Sequence, residues 1–593
     1  MMPAFNKKYA LCFCVVLFWV AWALAPTLQN GFVNYDDDVH LLQNPFIRSL
    51  DAPHVRLMFS TTVNKTYIPL SLLSFACEHA RWGFYPFVFH RHNLLLHLMN
   101  VALVVWLARA FGLSRAAGLL AGLIFGVHPM HVESVAWVTE RKDVLYSVFY
   151  LVAVCCYVTY LSRAGLIRPS LDGERGAHPR ARIWWALALV CGLLSALSKP
   201  MALSLPFILL LLDWYFERRF TVYAWLEKFI CGAVLFPIVW VTYALHMRCA
   251  PVSFPESWLT WIWCLTFHLK KFFYPDFFVV FYAPPFPVTI HNASLLSGAL
   301  FFVLLVAALV VLRRSRLFLL AFFWYVASAF FLFRFDYGAD SHVVADRFMY
   351  LPSLGFCCWT AGVIFRGYQL SRGKKIYQGL LVTGAACGIL FLSVQTRRQA
   401  VVWKDGTTLW KHQVETHWEG QPGLIQALVL SKYADALVGQ NDVFLVLKSV
   451  PFRHPGGGDD PGEEGRTAVR VQQVVQAVTY YQKALKLRPR HAPALFGLGR
   501  IFYYSGQICL AEQYLQQTVA AEPGHFNAFF YLGKLYLDRG RVEDALTAFR
   551  NAEEINPGHG KLREDIIKEY RAFFTAHSEV QDVKRELERL QSL

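Results

Sequence analysis

The sequence predicts an all-α protein in which a polytopic bundle of membrane-crossing helices is followed by a polar helical-repeat array. Three observations carry that prediction. The 593 residues are 56% hydrophobic and 16% aromatic, with a mean hydropathy of +0.36, well above a soluble globular chain. Apolar runs long enough to span a bilayer recur through the first two thirds. Beyond residue 468 the apolar character falls, and Pro489, Pro523 and Pro557 recur at a period of 34.

The apolar runs lie at 9–25, 92–111, 116–130, 144–161, 183–198, 200–216, 225–246, 295–312, 317–333, 349–365 and 377–394. That gives about eleven crossings by the ~20-residue criterion, with the two termini on opposite faces. Lys7 and Lys8, Arg109 and Arg115, Arg163 to Arg182, Arg218 and Arg219, Arg313 to Arg316, and Arg366 to Lys375 fall on one face in alternation. Basic loops are retained inside, so the N-terminus is expected in the cytoplasm and everything after Gln395 outside. The net charge of +16 owes much to these loops and calls for no nucleic-acid partner. Lys7-Lys8 before an apolar stretch resembles a signal peptide, but Pro26 at the junction argues for an uncleaved anchor. Most of the 13 Cys sit in apolar helices as small hydrophobes.

The 34-residue period is the tetratricopeptide length. Its marker positions repeat too: Leu498-Gly499 with Leu532-Gly533, Phe502 with Tyr536, Ala511 with Ala545, and Ala484 with Ala552. Small residues let paired helices approach, and the prolines end each second helix. A half repeat (Val471–Pro489) precedes two full ones, Lys561–Leu593 reads as a capping helix, and Trp403–Gln440 as degenerate repeat. Phe452–Gly465 reads as a flexible Pro/Gly/acid insertion. The expected domains are therefore 1–396 in the membrane, 397–467 as linker and 468–593 as repeats. Phe496, Arg500 and Tyr503 share offsets with Phe530, Lys534 and Leu537, and i, i+4, i+7 spacing puts each trio on one helix face. On an inner curve that face would form an apolar groove with cations, suited to an extended peptide acceptor.

The unusual polar residues gather, under this topology, on the outer face. They are Asp36 to Asp38 and His40; His128, His131, Glu133, Glu140, Arg141, Lys142 and Asp143; Lys199; and Asp340, His342, Asp346 and Arg347. Ionisable groups near hydrocarbon are costly, so a one-sided set points to a site. The bland alternatives are solvated loops, a negatively charged turn at Asp36–Asp38, and packed helix-end histidines at His90, His92 and His97. The functional alternative makes one carboxylate a general base while a neighbour orients it or binds a metal. Arg141, Lys142, Lys199 and Arg347 would then receive a departing phosphate, with His128, His131, Glu133 and Asp346 in support. Trp258–Phe273 reads as an outer interfacial helix.

Phe32-Val-Asn-Tyr-Asp-Asp-Asp38, His128-Pro-Met-His-Val-Glu-Ser-Val-Ala-Trp137, Glu140-Arg-Lys-Asp143, Ser198-Lys-Pro-Met201 and Ala345-Asp-Arg-Phe-Met-Tyr-Leu-Pro352 occur in that order. Together they resemble the transmembrane and tetratricopeptide-repeat family, grouped with the C-type (GT-C) membrane glycosyltransferases. The resemblance implies a GT-C-like membrane domain and an aspartate pair at Asp36 and Asp37 as the catalytic group. It further implies attack by a Ser/Thr or sugar hydroxyl on a polyprenyl-phosphate-linked sugar, with inversion. The array is shorter than in eukaryotic members, and Thr62–Pro69 replaces their Trp-rich stretch; the short array and compact loops suggest a bacterial inner-membrane protein. The lipid-linked sugar is the expected co-substrate, a divalent metal is left open, and a protein acceptor is the expected partner of the repeats. Two other functions remain open at this point, a non-enzymatic scaffold and a transporter of lipid-linked sugar.

Overall fold

The computed structural model describes residues 7–64, 66–167, 180–246, 254–285, 287–332, 343–416, 422–439, 461–555, 560–577 and 581–592. Its contacts divide the chain into two units, Met1–Asp405 and Gly406–Leu593. Every regular element among the described residues is helical; the sole β contact there is an isolated bridge between Val63 and Thr66.

The first unit opens with α1 (Lys7–Leu24), continued by a 3₁₀ turn, Ala25–Gln29, that has proline in its first turn. The carboxylate loop follows, then α2 (Ala52–Ser60), N-capped by the Asp51 side chain, α3 (Pro69–Trp82) and α4 (Pro86–Ala110). Next come α5 (Arg115–Gly126), capped by Ser114, the short α6 (Val132–Ala136) and α7 (Arg141–Arg163). They are followed by α8 (Ala181–Ser198), α9 (Leu205–Tyr215), α10 (Val222–His246) and α11 (Phe254–Phe273). The unit closes with α12 (Ala293–Val311), α13 (Arg316–Ala329), α14 (Leu354–Leu370) and α15 (Lys375–Val402).

Seven of the described helices are long and apolar enough to cross a membrane, or eight if α5 and the segment after its break count as one span. The protein is therefore a multi-pass membrane protein. The expected eleven crossings are not all reached by length among the described residues. Runs 200–216 and 317–333 form helices of fewer than 18 residues, as does 349–365, whose helix is the 17-residue α14. The Trp258–Phe273 stretch lies within α11, which is not among the candidate spans.

The break after α5 explains much of the polar sequence. The chain bends there by 53°, which frees the last carbonyls of α5, and a buried carbonyl must find a donor. His131 Nδ1 lies 2.7 Å from the Phe125 oxygen, His97 Nε2 3.0 Å from the Gly126 oxygen, and Thr396 donates to the Val127 oxygen at 2.7 Å. Farther along the same segment Asn93 donates to the carbonyls of Val135 and Trp137, and Asn100 to that of Val144. Asn93, His97 and Asn100 stand at i, i+4 and i+7 of α4, one polar ladder on one face.

In the second unit α16 (Gly406–Thr416) and α17 (Gly423–Val438) precede α18 (Pro461–Leu487), α19 (Ala492–Tyr504), α20 (Ile508–Ala521), α21 (Phe526–Asp538) and α22 (Val542–Ile555). The expected capping helix is two helices, α23 (Gly560–Ala576) and α24 (Gln581–Ser592). Their apolar residues Leu562, Ile566, Tyr570, Val583 and Leu590 are buried against Phe549 and Ala552 of α22 in the same core. Pro461–Gly465, expected in the insertion, open α18; residues 440–460 lie outside the described residues, as does Pro557. Gly533 sets a close approach: a Cβ there would stand 2.7 Å from the Phe549 ring.

Candidate functional site

Asp37 anchors the carboxylate loop. It is buried; one carboxylate oxygen accepts the Val33 amide at 2.9 Å, and the other accepts the Thr139 amide at 3.0 Å and the Thr139 hydroxyl at 2.5 Å. Burial raises its pKa to about 7 against these three donors. Asp36 is half-buried, and its carbonyl accepts the His40 amide at 2.9 Å. His40 is held neutral, its pKa pushed down to about 3 by burial and by the Lys142 ammonium. Tyr35, the residue before Asp36, has its hydroxyl in the fields of Arg347, Asp36, Glu133 and Glu140, and burial raises its pKa well above the usual value.

Beside this loop an ion network gathers on Glu140, which comes just before α7. Lys142 Nζ lies 3.0 Å from Glu140 Oε1, Lys199 Nζ 3.5 Å from Oε2, and Arg347 Nε 3.5 Å from Oε1. Lys199 also pairs with Asp143, which accepts the Ser134 hydroxyl at 3.1 Å. Arg347 pairs with Glu133 at 2.5 Å, and its backbone amide donates to the other Glu133 oxygen at 3.0 Å. Three cations and three carboxylates thus balance, from α6, the start of α7 and the residue before it, the end of α8 and the turn before α14. Burial opposes the charge of Lys199 and of Arg347, but the carboxylates outweigh it, so both pKa values are raised. Among the described residues no group of three His, Cys, Asp or Glu side chains is arranged to hold a metal.

Arg141 does not join this network. Its guanidinium is buried and points toward α3 and α4, where Nη1 pairs with Glu78, Nε donates to Asn93 at 2.8 Å and Nη2 donates to the Phe89 carbonyl at 2.8 Å. All three nitrogens are occupied, so the structure sets it apart from the other three cations of the expected phosphate site. The histidines also stand elsewhere. His128 Nε2 lies 3.0 Å from the Phe272 carbonyl with its ring stacked on Phe272, and Nδ1 caps the Met130 amide at 3.3 Å. His131 bridges the Phe125 carbonyl and the Ser353 hydroxyl. Both stand at the helix break and bond backbone groups there, and His131 bonds the Ser353 side chain as well. Glu140 stood in the sequence pattern without a role. Asn93 and Asn100 went unnoticed, although polar residues at i and i+7 of an apolar helix were a usable signal.

Asp346 borders the network. Its Oδ2 accepts the Tyr282 hydroxyl at 2.7 Å, while Oδ1 is buried without a hydrogen-bond partner among the described residues. Burial raises its pKa to about 8, opposed by Lys271, reinforced by Glu133 and lowered slightly by Tyr282 and Arg347. A carboxyl held up in the fold favours folding below its unfolded pKa of ~4, and that advantage is lost as pH rises through about 8. Thermal midpoints of the purified protein between pH 5 and 9 should fall with rising pH, and Asp346→Asn should flatten the slope. An unchanged slope would show that Asp346 does not titrate in this range.

On the repeats, Arg500 lies over Phe496 at 5.6 Å and Tyr531 at 5.8 Å, and Lys534 over Tyr503 and Phe530, each at 5.8 Å. Lys534 pairs with Glu569 at 2.7 Å, and Tyr503 donates to Asp538 at 2.6 Å. Phe530 also packs on Phe549. Leu537, the third member of its trio, is buried in the core. The two cations therefore share one half-buried aromatic surface across α19 and α21.

A family model described as tetratricopeptide repeat matches residues 463–508 and 500–559. Among curated proteins, the mouse protein O-mannosyl-transferase TMTC2 is 37% identical over 102 residues, 17% of this chain and 12% of that protein. The Drosophila Tmtc2 protein is 33% identical over 218 residues, 35% of this chain and 22% of its own, and mouse TMTC4 is 28% identical over 226 residues, 34% and 28%. The chain thus spans no more than 28% of the length of these relatives. The solved structure of ArnT from Cupriavidus metallidurans bound to undecaprenyl phosphate aligns over 89% of this chain and 81% of its own. At 15% identity and a TM-score of 0.32 that alignment carries no argument. By the sequence matches, the chain is a homologue of the transmembrane and tetratricopeptide-repeat proteins, with tetratricopeptide repeats in its C-terminal unit.

Proposed function

We propose that this protein is a membrane glycosyltransferase of the GT-C type, moving a sugar from a polyprenyl-phosphate donor to a hydroxyl, with protein Ser/Thr as acceptor. The observation that carries the reading is the meeting of the Asp36 loop with Lys142, Lys199 and Arg347 on Glu140. In the proposed step Asp36 takes the acceptor's hydroxyl proton as its oxygen attacks the anomeric carbon. The bond from that carbon to the phosphate oxygen breaks with inversion, and the electron pair leaves with the polyprenyl phosphate. The growing phosphate charge meets the three cations, which are held in place before reaction by Glu133, Glu140 and Asp143. Asp37 keeps the loop on Thr139, and Arg141 serves by fixing the start of α7. The site is proposed to face the extracytoplasmic side of a bacterial inner membrane, with the repeats on that side. The test is mass spectrometry of exported proteins with and without the gene, where hexose on Ser or Thr should disappear in the deletion. An unchanged pattern would reject the reading.

The repeats are proposed to select the acceptor through the surface of Phe496, Arg500, Tyr503, Phe530 and Lys534. Because Lys534 faces Glu569, neutral substitutions disturb the fold least. Arg500→Gln with Lys534→Gln should leave donor hydrolysis intact and lower modification of protein acceptors ~10-fold or more, the scale of a lost charge-assisted contact. Equal modification of every acceptor would remove this surface from the mechanism.

One observation favours transport of a lipid-linked sugar as a second reading. Toward the other end of α7, Asp213, Arg218, Glu227 and Lys228 form a buried ion network around the Tyr157 hydroxyl. Sugar-lipid crossing vesicles that contain the purified protein, with no transfer, would support that function instead.

A further inference from the structure

Three rings stand in a column beside the proposed site. Tyr35 stacks on Trp137 with centroids 4.4 Å apart and planes 19° apart, and Trp137 stacks on Trp403 at 5.6 Å and 17°. Lys142 Nζ lies 5.7 Å and Arg347 Cζ 5.6 Å from the centre of the Trp137 ring. Trp137 is 1% and Trp403 2% exposed, so neither face is open to a sugar and the column is no substrate platform. The chain segments at its two ends are also tied by hydrogen bonds: the Gly31 amide donates to the Lys404 carbonyl at 2.8 Å, and the Asn30 side-chain Nδ2 to the Ala400 carbonyl at 3.0 Å. Trp403 and Lys404 directly precede Asp405, the last residue of the membrane unit, and the second unit begins at Gly406.

We propose that the Tyr35–Trp137–Trp403 column, with the Asn30 and Gly31 ties, is the positioning element of the site. It sets the Asp36 loop against Lys142 and Arg347, and it anchors both on the segment from which the repeats continue. The proposal rests on the transferase reading above. Tyr35 and Asp36 are chain neighbours, so a shift of the Tyr35 ring moves the carboxylate. Misplacement of a reacting group by ~1 Å can cost ~10²-fold in rate. The column also makes the geometry of the carboxylate loop depend on the end of α15, a helix that contributes no ionic group to the network.

The test uses full-length protein in lipid nanodiscs, with Trp403→Ala, Trp403→Phe and Asn30→Ala, and two readouts. The first is amide hydrogen exchange over residues 30–40 and over α7. The second is transfer from synthetic polyprenyl-phosphate mannose to a Ser/Thr peptide. Trp403→Ala and Asn30→Ala should speed exchange in residues 30–40 and leave α7 unchanged. Trp403→Ala should lower kcat by ~10- to 100-fold with donor KM within about twofold, and Trp403→Phe, which keeps a ring in the column, should recover most of the loss. Wild-type exchange in residues 30–40 of Trp403→Ala overturns the proposal. So does faster exchange throughout the unit in both alanine variants, or a change confined to KM. If exchange responds as expected but the wild-type protein transfers no sugar, the transferase reading fails while the attachment of the loop stands.

Discussion

Replacing Asp36 by Asn is expected to lower sugar transfer by ~10²–10⁴-fold, the usual cost of losing a general base, with little change in thermal stability. The side chain is half-buried, beside a loop whose shape is fixed by its neighbour, so the substitution leaves the loop standing. Asp37→Asn should behave differently. Its two oxygens accept three hydrogen bonds from Val33 and Thr139, and an amide nitrogen in either place would face a donor. That variant should lose ~1–3 kcal/mol of stability, the cost of buried groups left unpaired, and its rate should fall because the loop detaches. Steady-state transfer together with melting curves separates the two. Near wild-type turnover in Asp36→Asn would remove it from the chemistry, and wild-type stability in Asp37→Asn would remove the anchor.

Arg347→Ala is the second variant with a large expected effect. It leaves Glu133 and Glu140 buried with fewer positive partners, and breaking a buried ion pair from one side typically costs ~3–5 kcal/mol. The melting midpoint should drop and donor affinity should weaken. Arg347→Lys should recover only part, because Nη1 and Nε reach two different carboxylates and an ammonium has no planar fork. The double variant Arg347→Ala with Glu133→Gln removes the uncompensated charge. It should regain stability but not transfer, and recovery of both would make Arg347 a structural cation only.

The candidate site was legible in the sequence as a set of residue types and largely illegible as a set of roles. Asp36, Lys142, Lys199 and Arg347 were singled out as polar groups that an apolar chain can hardly afford, and the fold brings the three cations onto one carboxylate. Arg141 was selected by the same logic, and its chain neighbour Lys142 does join the network. Successive residues on a helix point about 100° apart, so adjacency in sequence said nothing of which cation would turn toward Glu78 and which toward Glu140. The two histidines of His128-Pro-Met-His131 read as support for the site for a similar reason. A helix broken inside a bundle leaves carbonyls that need donors, and those donors come from residues distant in sequence.

By itself the sequence determined what composition and period determine: an all-helical chain, many apolar segments, and a 34-residue repeat whose prolines and small residues force paired helices. Those are local properties, set by hydrophobic burial and backbone sterics within a few turns of chain. Only the tertiary structure decided which apolar runs form helices long enough to cross, that Asp37 anchors its loop on Val33 and Thr139, that Asn93, His97 and Asn100 serve the break after α5 and the segment beyond it, and that Trp403 stacks on Trp137, which stacks on Tyr35. Each of these depends on a partner tens to hundreds of residues away. A buried polar group takes whichever donor or charge the packing supplies, and its role is settled by that partner and not by its own side chain.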